Sequence, residues 1–290
     1  MRILRRVDEA RSASRAFRAA GEGVALVPTM GYLHEGHLSL VRLAKTRAER
    51  VFVSLFVNPK QFGPSEDLDR YPRDFERDSA LCEGAGVDVL FAPPVEEVYP
   101  PGHCTTVSVE GPLTGVLCGA RRPGHFTGVA TVVTKLFAMC EPDVAVFGQK
   151  DAQQVAVIKR FTRDLNLPVS LVVAPIVRES DGLAMSSRNA YLAPAERAQA
   201  TVLKAALDAA SALFAAGERR SSRLLEAAAG ILSRADLARV DYLELVDSET
   251  LEPVADIRRS SLLALAVFFG STRLIDNATL VPEGDQNPCS

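Results

Sequence analysis

Val24-Ala25-Leu26-Val27-Pro28-Thr29-Met30-Gly31-Tyr32-Leu33-His34-Glu35-Gly36-His37 is the stretch on which the reading of this chain turns. Its first four residues are continuously aliphatic. Such a short run, closed by Pro28, reads as a strand buried on both faces. Pro28 and Gly31 force a turn, and Gly36 precedes an amphipathic pattern over residues 37–48, with Leu38, Leu40, Val41, Leu43 and Ala44 on one face. A helix starting near Gly36 would aim free N–H groups and its positive end at an anion. His34 and His37, three apart around that glycine, can donate hydrogen bonds to phosphate oxygens. The same residues also fit two solvated histidines, or a zinc pair. Zinc needs a third protein ligand, and no Cys or Glu cluster supplies one.

Four further runs resemble the first: Val51–Val57, Val87–Phe91, Val144–Phe147 and Val169–Val173. Helical patterns over 66–85, 128–140 and 151–165 separate them. Strands alternating with helices predict an α/β fold, a parallel sheet covered by helices on both faces, across residues 1–176. Ligands on such sheets bind beyond the carboxyl ends of the strands, which selects the loops after Val27, Val57 and Phe147. The pattern changes near residue 177. One long Ala-rich helix from Pro194 to Ala216 and a second from Ser221 to Ala235 precede strand-like runs at Val240–Val246, Leu262–Phe269 and Thr272–Ile275. Residues 177–290 are therefore expected to form a smaller α+β domain with an antiparallel sheet. The tail from Pro282 to Ser290 is expected to lack fixed structure.

With 290 residues the chain can bury a sizeable core, and its 47% hydrophobic and 24% charged composition is that of a globular protein. A formal net charge of −3 gives no reason to expect nucleic-acid or anionic-membrane binding, so any anion site must be locally basic. No apolar run approaches the roughly 18 residues a membrane span needs, and the basic start Met1–Arg6 lacks the apolar core of a signal peptide. Five cysteines, odd in number and without a Cys-x-x-Cys pair, point to reduced thiols and a cytoplasmic protein.

Three more segments carry candidate chemistry. Gly148-Gln149-Lys150-Asp151 follows a strand, and Lys150 can place a point charge on phosphate. Gln153 and Gln154 follow on the next helix. Met185-Ser186-Ser187-Arg188 offers two hydroxyls and a guanidinium at the domain junction. Asn58-Pro59-Lys60-Gln61-Phe62 brings Gln61 to the same sheet edge, and Arg121, Arg122 and His125 add positive character. Asp78 is a candidate indirect magnesium partner. A complete phosphate-binding Gly-x4-Gly-Lys-Ser/Thr loop is absent; Gly119-x4-Gly124-His125 lacks the lysine and hydroxyl, and Gly21-x-Gly23 precedes the first strand instead of following it.

Taken in order, these segments resemble the pantothenate synthetase (pantoate–β-alanine ligase) family, within the His-x-x-His nucleotidyltransferase superfamily. The matching stretches are residues 28–37, 56–62, Tyr71-Pro72-Arg73, 122–126, 147–154, Asp181 to Asn189 and 273–277, so the resemblance runs from Val24 to Asn277. It implies a Rossmann-like first domain, a smaller domain closing over ATP, and a homodimer. It also implies a two-step reaction: pantoate and ATP give pantoyl adenylate and pyrophosphate, and the amine of β-alanine then releases AMP and pantothenate. Mg²⁺ would accompany ATP. By resemblance the ATP contacts are Met30, Gly31, Tyr32, Leu33, His34, Glu35, Gly36 and His37; Gly148, Gln149, Lys150 and Asp151; Val177; and Met185, Ser186, Ser187 and Arg188. The catalytic group would be His37, His34, Lys150 and Arg188, with His37 the proton donor to the leaving phosphates. Gln61 and Gln154 would hold pantoate, and Gln61 would also lie near β-alanine. Cys118 and Gln149 stand where relatives carry Glu, and Tyr32 where Ala is common. The alternatives are another transferase of the superfamily, such as a nicotinamide-nucleotide adenylyltransferase, or a non-catalytic nucleotide-binding regulator.

Overall fold

The computed structural model describes residues 1–64 and 66–285. Six parallel strands, β1 (Arg2–Leu4), β2 (Val24–Thr29), β3 (Arg50–Leu55), β4 (Val89–Phe91), β5 (Val144–Gly148) and β6 (Ser170–Ala174), form one sheet in the order β1-β4-β3-β2-β5-β6. Alternate side chains go to opposite faces, as a period of two requires. Leu26, Phe52, Phe91 and Ala145 join one core, and Val27, Val53, Leu90 and Val146 join the other. The helices of this unit are α1 (Val7–Ala19), α2 (Glu35–Lys45), α3 (Phe75–Gly84), α7 (His125–Cys140) and α8 (Ala152–Asp164). Single turns α4 (Val95–Val98), α5 (Pro112–Gly115) and α6 (Leu117–Arg121) lie between α3 and α7. Among the described residues no helix is long and apolar enough to cross a membrane.

The strand order reverses at β2 and β5, which are neighbours in the sheet although far apart in sequence. β2 pairs with β3 through Thr29↔Leu55 but with β5 only at Ala25↔Val144 and Leu26↔Ala145. The two strands therefore part beyond Leu26, and the crevice opens there, at the topological switch point.

The remainder of the chain carries α9 (Pro194–Ala200), α10 (Val202–Ala215) and α11 (Ser221–Leu232). They precede an antiparallel sheet β7 (Ala238–Asp247), β8 (Ser261–Phe269) and β9 (Thr272–Leu280) in sequential order. This sheet is buried on both faces. Leu263, Leu265 and Val267 pack with Leu203, Leu207 and Leu224 of α10 and α11, while Leu262, Ala264 and Ala266 join the core of the first unit.

Several elements differ from the sequence expectation. The helix expected over 66–85 begins only at Phe75, because Tyr71 precedes Pro72 and cannot take helical backbone easily; Asp74 caps it by accepting from Arg77 N–H at 3.1 Å. The long helix from Pro194 is two helices. At Thr201 the hydroxyl donates back to the Ala198 carbonyl at 3.1 Å, a local bond that competes with the helix ladder. Strand β1 and helix α1 had no sequence reading: the strand is three residues long, and the buried stripe of α1 is Ala10, Ala13 and Ser14. The tail expected to lack fixed structure begins as a turn, with Asp285 N–H donating to the Pro282 carbonyl at 3.2 Å; residues 286–290 lie outside the described residues.

Candidate active site

The turn between β2 and α2 explains its own sequence. His34 is the N-cap of α2 and His37 is the third residue inside it, so their spacing is that of a capping box. The Gly36 N–H donates to His34 Nδ1 at 3.1 Å, and the His34 N–H donates to His37 Nδ1 at 3.2 Å. A backbone N–H can only donate, so both Nδ1 atoms are acceptors. Each ring is a neutral tautomer with its proton on Nε2. Burial pushes the His34 imidazole down to about 4, with Lys150 adding to the effect. His37 lies well below the ordinary histidine range through burial, then through His34 and Lys150. The ring centroids are 4.1 Å apart, so protonating one ring opposes protonating the other. Gly36 is needed for this arrangement: a Cβ there would sit 2.8 Å from His34 Cε1.

Upstream, Gly31 (φ +86°) and Tyr32 (φ +51°) are both left-handed. The conformation is free for glycine but unfavourable for Tyr32, and Asp78 holds it by accepting from the Tyr32 N–H at 2.6 Å and the Leu33 N–H at 2.7 Å. Considered from sequence as an indirect metal partner, Asp78 is 1% exposed and spends both oxygens on the turn. Burial raises its carboxyl while those N–H groups lower it. Among the described residues no group of three or more His, Cys, Asp or Glu is placed to hold a metal ion.

A cavity of about 210 Å³ opens on this turn. Of the sequence-selected residues, Met30, His34, Gly36, His37, Gln61, Gly148, Lys150, Asp151, Gln154, Val177, Met185, Ser186, Ser187 and Arg188 line it. Gly31, Tyr32, Leu33, Glu35 and Gln149 do not. Leu33 is in the core, Glu35 pairs with Arg42, and the Tyr32 ring lies under the Arg77 guanidinium at 5.1 Å. Gln149 turns to β9, where its amide donates to Asn277 Oδ1 at 3.3 Å and Thr279 Oγ1 at 3.4 Å. In return Asn277 Nδ2 donates to the Gln149 and Lys150 carbonyls, each at 3.0 Å.

Gln61 reaches the cavity through a chain of partners, among which Gly128 and Tyr99 have no motif in the sequence and Asn58, Arg122 and His125 take roles that their positions in it do not show. Gly128 lets α7 meet the turn Pro59–Gln61 closely; a Cβ there would lie 2.3 Å from the Lys60 carbonyl oxygen. Buried Asn58 donates to the Gly128 carbonyl at 3.1 Å and to Gln61 Oε1 at 3.0 Å, and accepts from Tyr99 OH at 2.8 Å. That leaves Gln61 Nε2 facing Met30 Sδ at 3.2 Å. Below it, Arg122 donates to His125 Nε2 at 3.0 Å, so His125 Nδ1 carries the proton and donates to the Gln61 carbonyl at 2.8 Å. Burial and then Arg122 hold His125 at about 4. The adjacent glutamines divide their work. Gln153 ties down the 113–118 segment through the Leu113 and Val116 carbonyls and the Cys118 N–H, while Gln154 lines the cavity. Val129, Val132, Val133 and Leu136 of α7 complete an apolar wall.

Arg188 enters from the 185–188 loop, which the Ser187 Oγ–Tyr32 carbonyl bond, 3.2 Å, ties to the β2–α2 turn. Its guanidinium is held by both oxygens of Asp67, at 2.8 and 2.9 Å, and stands over the Tyr71 ring at 5.6 Å. Lys150 lies 3.7 Å from Asp151.

The profile of the pantoate–β-alanine ligase family matches residues 2–279. The chain belongs to that family. Curated relatives include the pantothenate synthetases of Pelotomaculum thermopropionicum, 54% identical over 97% of this chain and 99% of that one, and of Heliobacterium modesticaldum, 56% identical over 96% and 98%. The crystal structure of the pantothenate synthetase from Thermus thermophilus matches with a TM-score of 0.93 at 50% identity, covering 97% of this chain and 100% of that one. A pantoate–β-alanine ligase from Francisella tularensis, crystallised with β,γ-ATP and β-alanine, matches with a TM-score of 0.78 at 30% identity over 96% and 97%. Family and fold therefore agree with the resemblance read from the motifs, and the chain is an enzyme of the ligase type.

Proposed function

We propose that the cavity at the switch point condenses pantoate with β-alanine at the expense of ATP, through pantoyl adenylate. The observation that carries this reading is the convergence on one cavity of two neutral Nε2–H imidazoles, Lys150, the Ser186-Ser187-Arg188 loop and two glutamines beside an apolar wall. In the first step the pantoate carboxylate attacks the α-phosphorus, the new O–P bond forms, and pyrophosphate leaves with the electrons of the broken bond. Negative charge gathers on the departing phosphates, where His34 and His37 donate hydrogen bonds and Lys150 and Arg188 supply charge. Losing one such donor typically costs about 3 kcal/mol in the barrier. Because both rings are neutral, His37 stabilises charge as a donor and need not surrender a proton. The apolar face of α7 suits the methyl-bearing carbon of pantoate, and Gln61 and Gln154 suit its oxygens. In the second step the β-alanine amine attacks the acyl carbon and AMP leaves.

The donor set fits a magnesium ion carried by the nucleotide instead of one caged by protein. The cavity presents one carboxylate, Asp151, and Mg²⁺ commonly binds through one or two carboxylates plus substrate phosphates. Bound there, the ion would neutralise phosphate charge. A cytoplasmic setting is proposed on the cysteine pattern of the sequence, odd in number and without a Cys-x-x-Cys pair. The homodimer is proposed on family resemblance.

The test is pyrophosphate release. It should require both ATP and pantoate, and pantothenate should appear only when β-alanine is added. Pyrophosphate released equally well without pantoate would sink this reading.

A further inference from the structure

A second, larger cavity of about 600 Å³ lies between the first unit and the β7-β8-β9 sheet. It adjoins the reaction cavity, sharing Lys150, Asp151, Gln154, Ser186 and Arg188 as common wall. The two differ in charge. The reaction cavity is lined by two formally cationic side chains and one carboxylate, the second by six cationic side chains and five carboxylates. In the second the charges are arranged as pairs: Arg122–Glu66 at 2.6 Å, Arg188–Asp67 at 2.8 Å and Arg273–Asp241 at 2.8 Å.

We propose that this second cavity is the approach path and holding site of the zwitterionic co-substrate, β-alanine, on its way to the adenylate; the proposal rests on the function read above. A wall of ion pairs offers both signs at short range and little net field. A molecule carrying an ammonium and a carboxylate two methylenes apart can match it at both ends. ATP, pantoate and pyrophosphate carry only negative charge at neutral pH and meet a carboxylate beside Arg122 and beside Arg273. Entry from this side also lets the amine arrive while the adenylate still fills the reaction cavity.

The geometry points to Arg273 and Asp241 as the docking pair, which line the second cavity and not the reaction cavity. Arg273 Nε and Nη2 both bond Asp241 Oδ2, at 3.0 and 2.8 Å. Its Nη1 meets only a weak acceptor among its hydrogen bonds, Cys118 Sγ at 3.4 Å, which a substrate carboxylate would displace readily. Asp241 Oδ1 has a long 3.6 Å contact to Arg121 Nε and is open to an ammonium. Tyr242, whose OH lies 3.4 Å from Cys118 Sγ, walls the same corner.

The experiment uses the full-length protein with Arg273→Gln and Asp241→Asn, scoring the two half-reactions separately. Each variant should raise the β-alanine KM at least tenfold, while pantoate-dependent pyrophosphate release and the KM values for ATP and pantoate stay within twofold. An unchanged β-alanine KM in whichever variant folds overturns the proposal, as does a rise confined to ATP or pantoate. The wild-type protein adds an arm that needs no variant. Replacing β-alanine by propylamine, which keeps the amine and loses the carboxylate, should slow capture of the adenylate at least tenfold, and equal capture of both amines overturns the proposal. A wild-type protein that releases no pyrophosphate with ATP and pantoate defeats the underlying function instead, and the two failures are distinct.

Discussion

The two walls of the reaction cavity hold their functional groups by different means. The wall built on the β2–α2 turn carries no formal charge of its own at neutral pH. His34 and His37 are fixed by backbone N–H groups, with Asp78 bracing the turn behind them. A second wall, tied to that turn where Ser187 Oγ donates to the Tyr32 carbonyl, carries Arg188, fixed by a carboxylate on a separate loop. The first arrangement is preorganised, and a ligand displaces nothing when it binds. The second is exchangeable, because a phosphate that claims Arg188 competes with Asp67. On the function proposed above, the site for a tetra-anionic nucleotide would combine a rigid neutral half with a charged half already compensated.

Removing His37 tests the rigid half most severely. His37→Ala should lower pantoate-dependent pyrophosphate release by two or more orders of magnitude with the circular dichroism spectrum unchanged; a loss below tenfold would erase the distinction between the walls. Gly36→Ala should cost on the order of tenfold or more without touching a polar atom, because the new Cβ, 2.8 Å from His34 Cε1, drives the ring out of its cap. Activity near wild type would mean that the cap does not set ring position. The exchangeable half should respond least and in the opposite sense. Asp67→Asn frees Arg188 for phosphate and should lower the ATP KM about two- to fivefold, the scale of a half-buried ion pair worth roughly 1 kcal/mol. A higher KM would show that Asp67 positions Arg188 instead of competing with its ligand.

The legibility of these features in the sequence follows the range of the interactions behind them. Five of the six parallel strands announce themselves as apolar runs, because a strand covered on both faces needs no partner to show its character. The His34/His37 spacing is equally local, since capping acts within four residues. The polar residues selected from sequence that line the cavity are legible because they follow strands or stand near residue 177, where the sequence pattern changes. What stays hidden is the division of labour between neighbours. Nothing in the run Gln153-Gln154 says which amide faces the site; that is decided by the carbonyls of Leu113 and Val116, some 40 and 37 positions away. Asp78 acquires its role from N–H groups 46 and 45 positions upstream, and Gln149 from Asn277, 128 positions downstream. A carboxylate or an amide has no signature of its partner until the chain has folded.

The reciprocal bonds between Asn277 and the Gln149-Lys150 backbone fasten the antiparallel sheet to the very loop that presents Lys150. Through them a residue of β9 that does not line the reaction cavity fixes the backbone on which the Lys150 side chain stands, so a substitution at Asn277 would reach the reaction cavity from outside it.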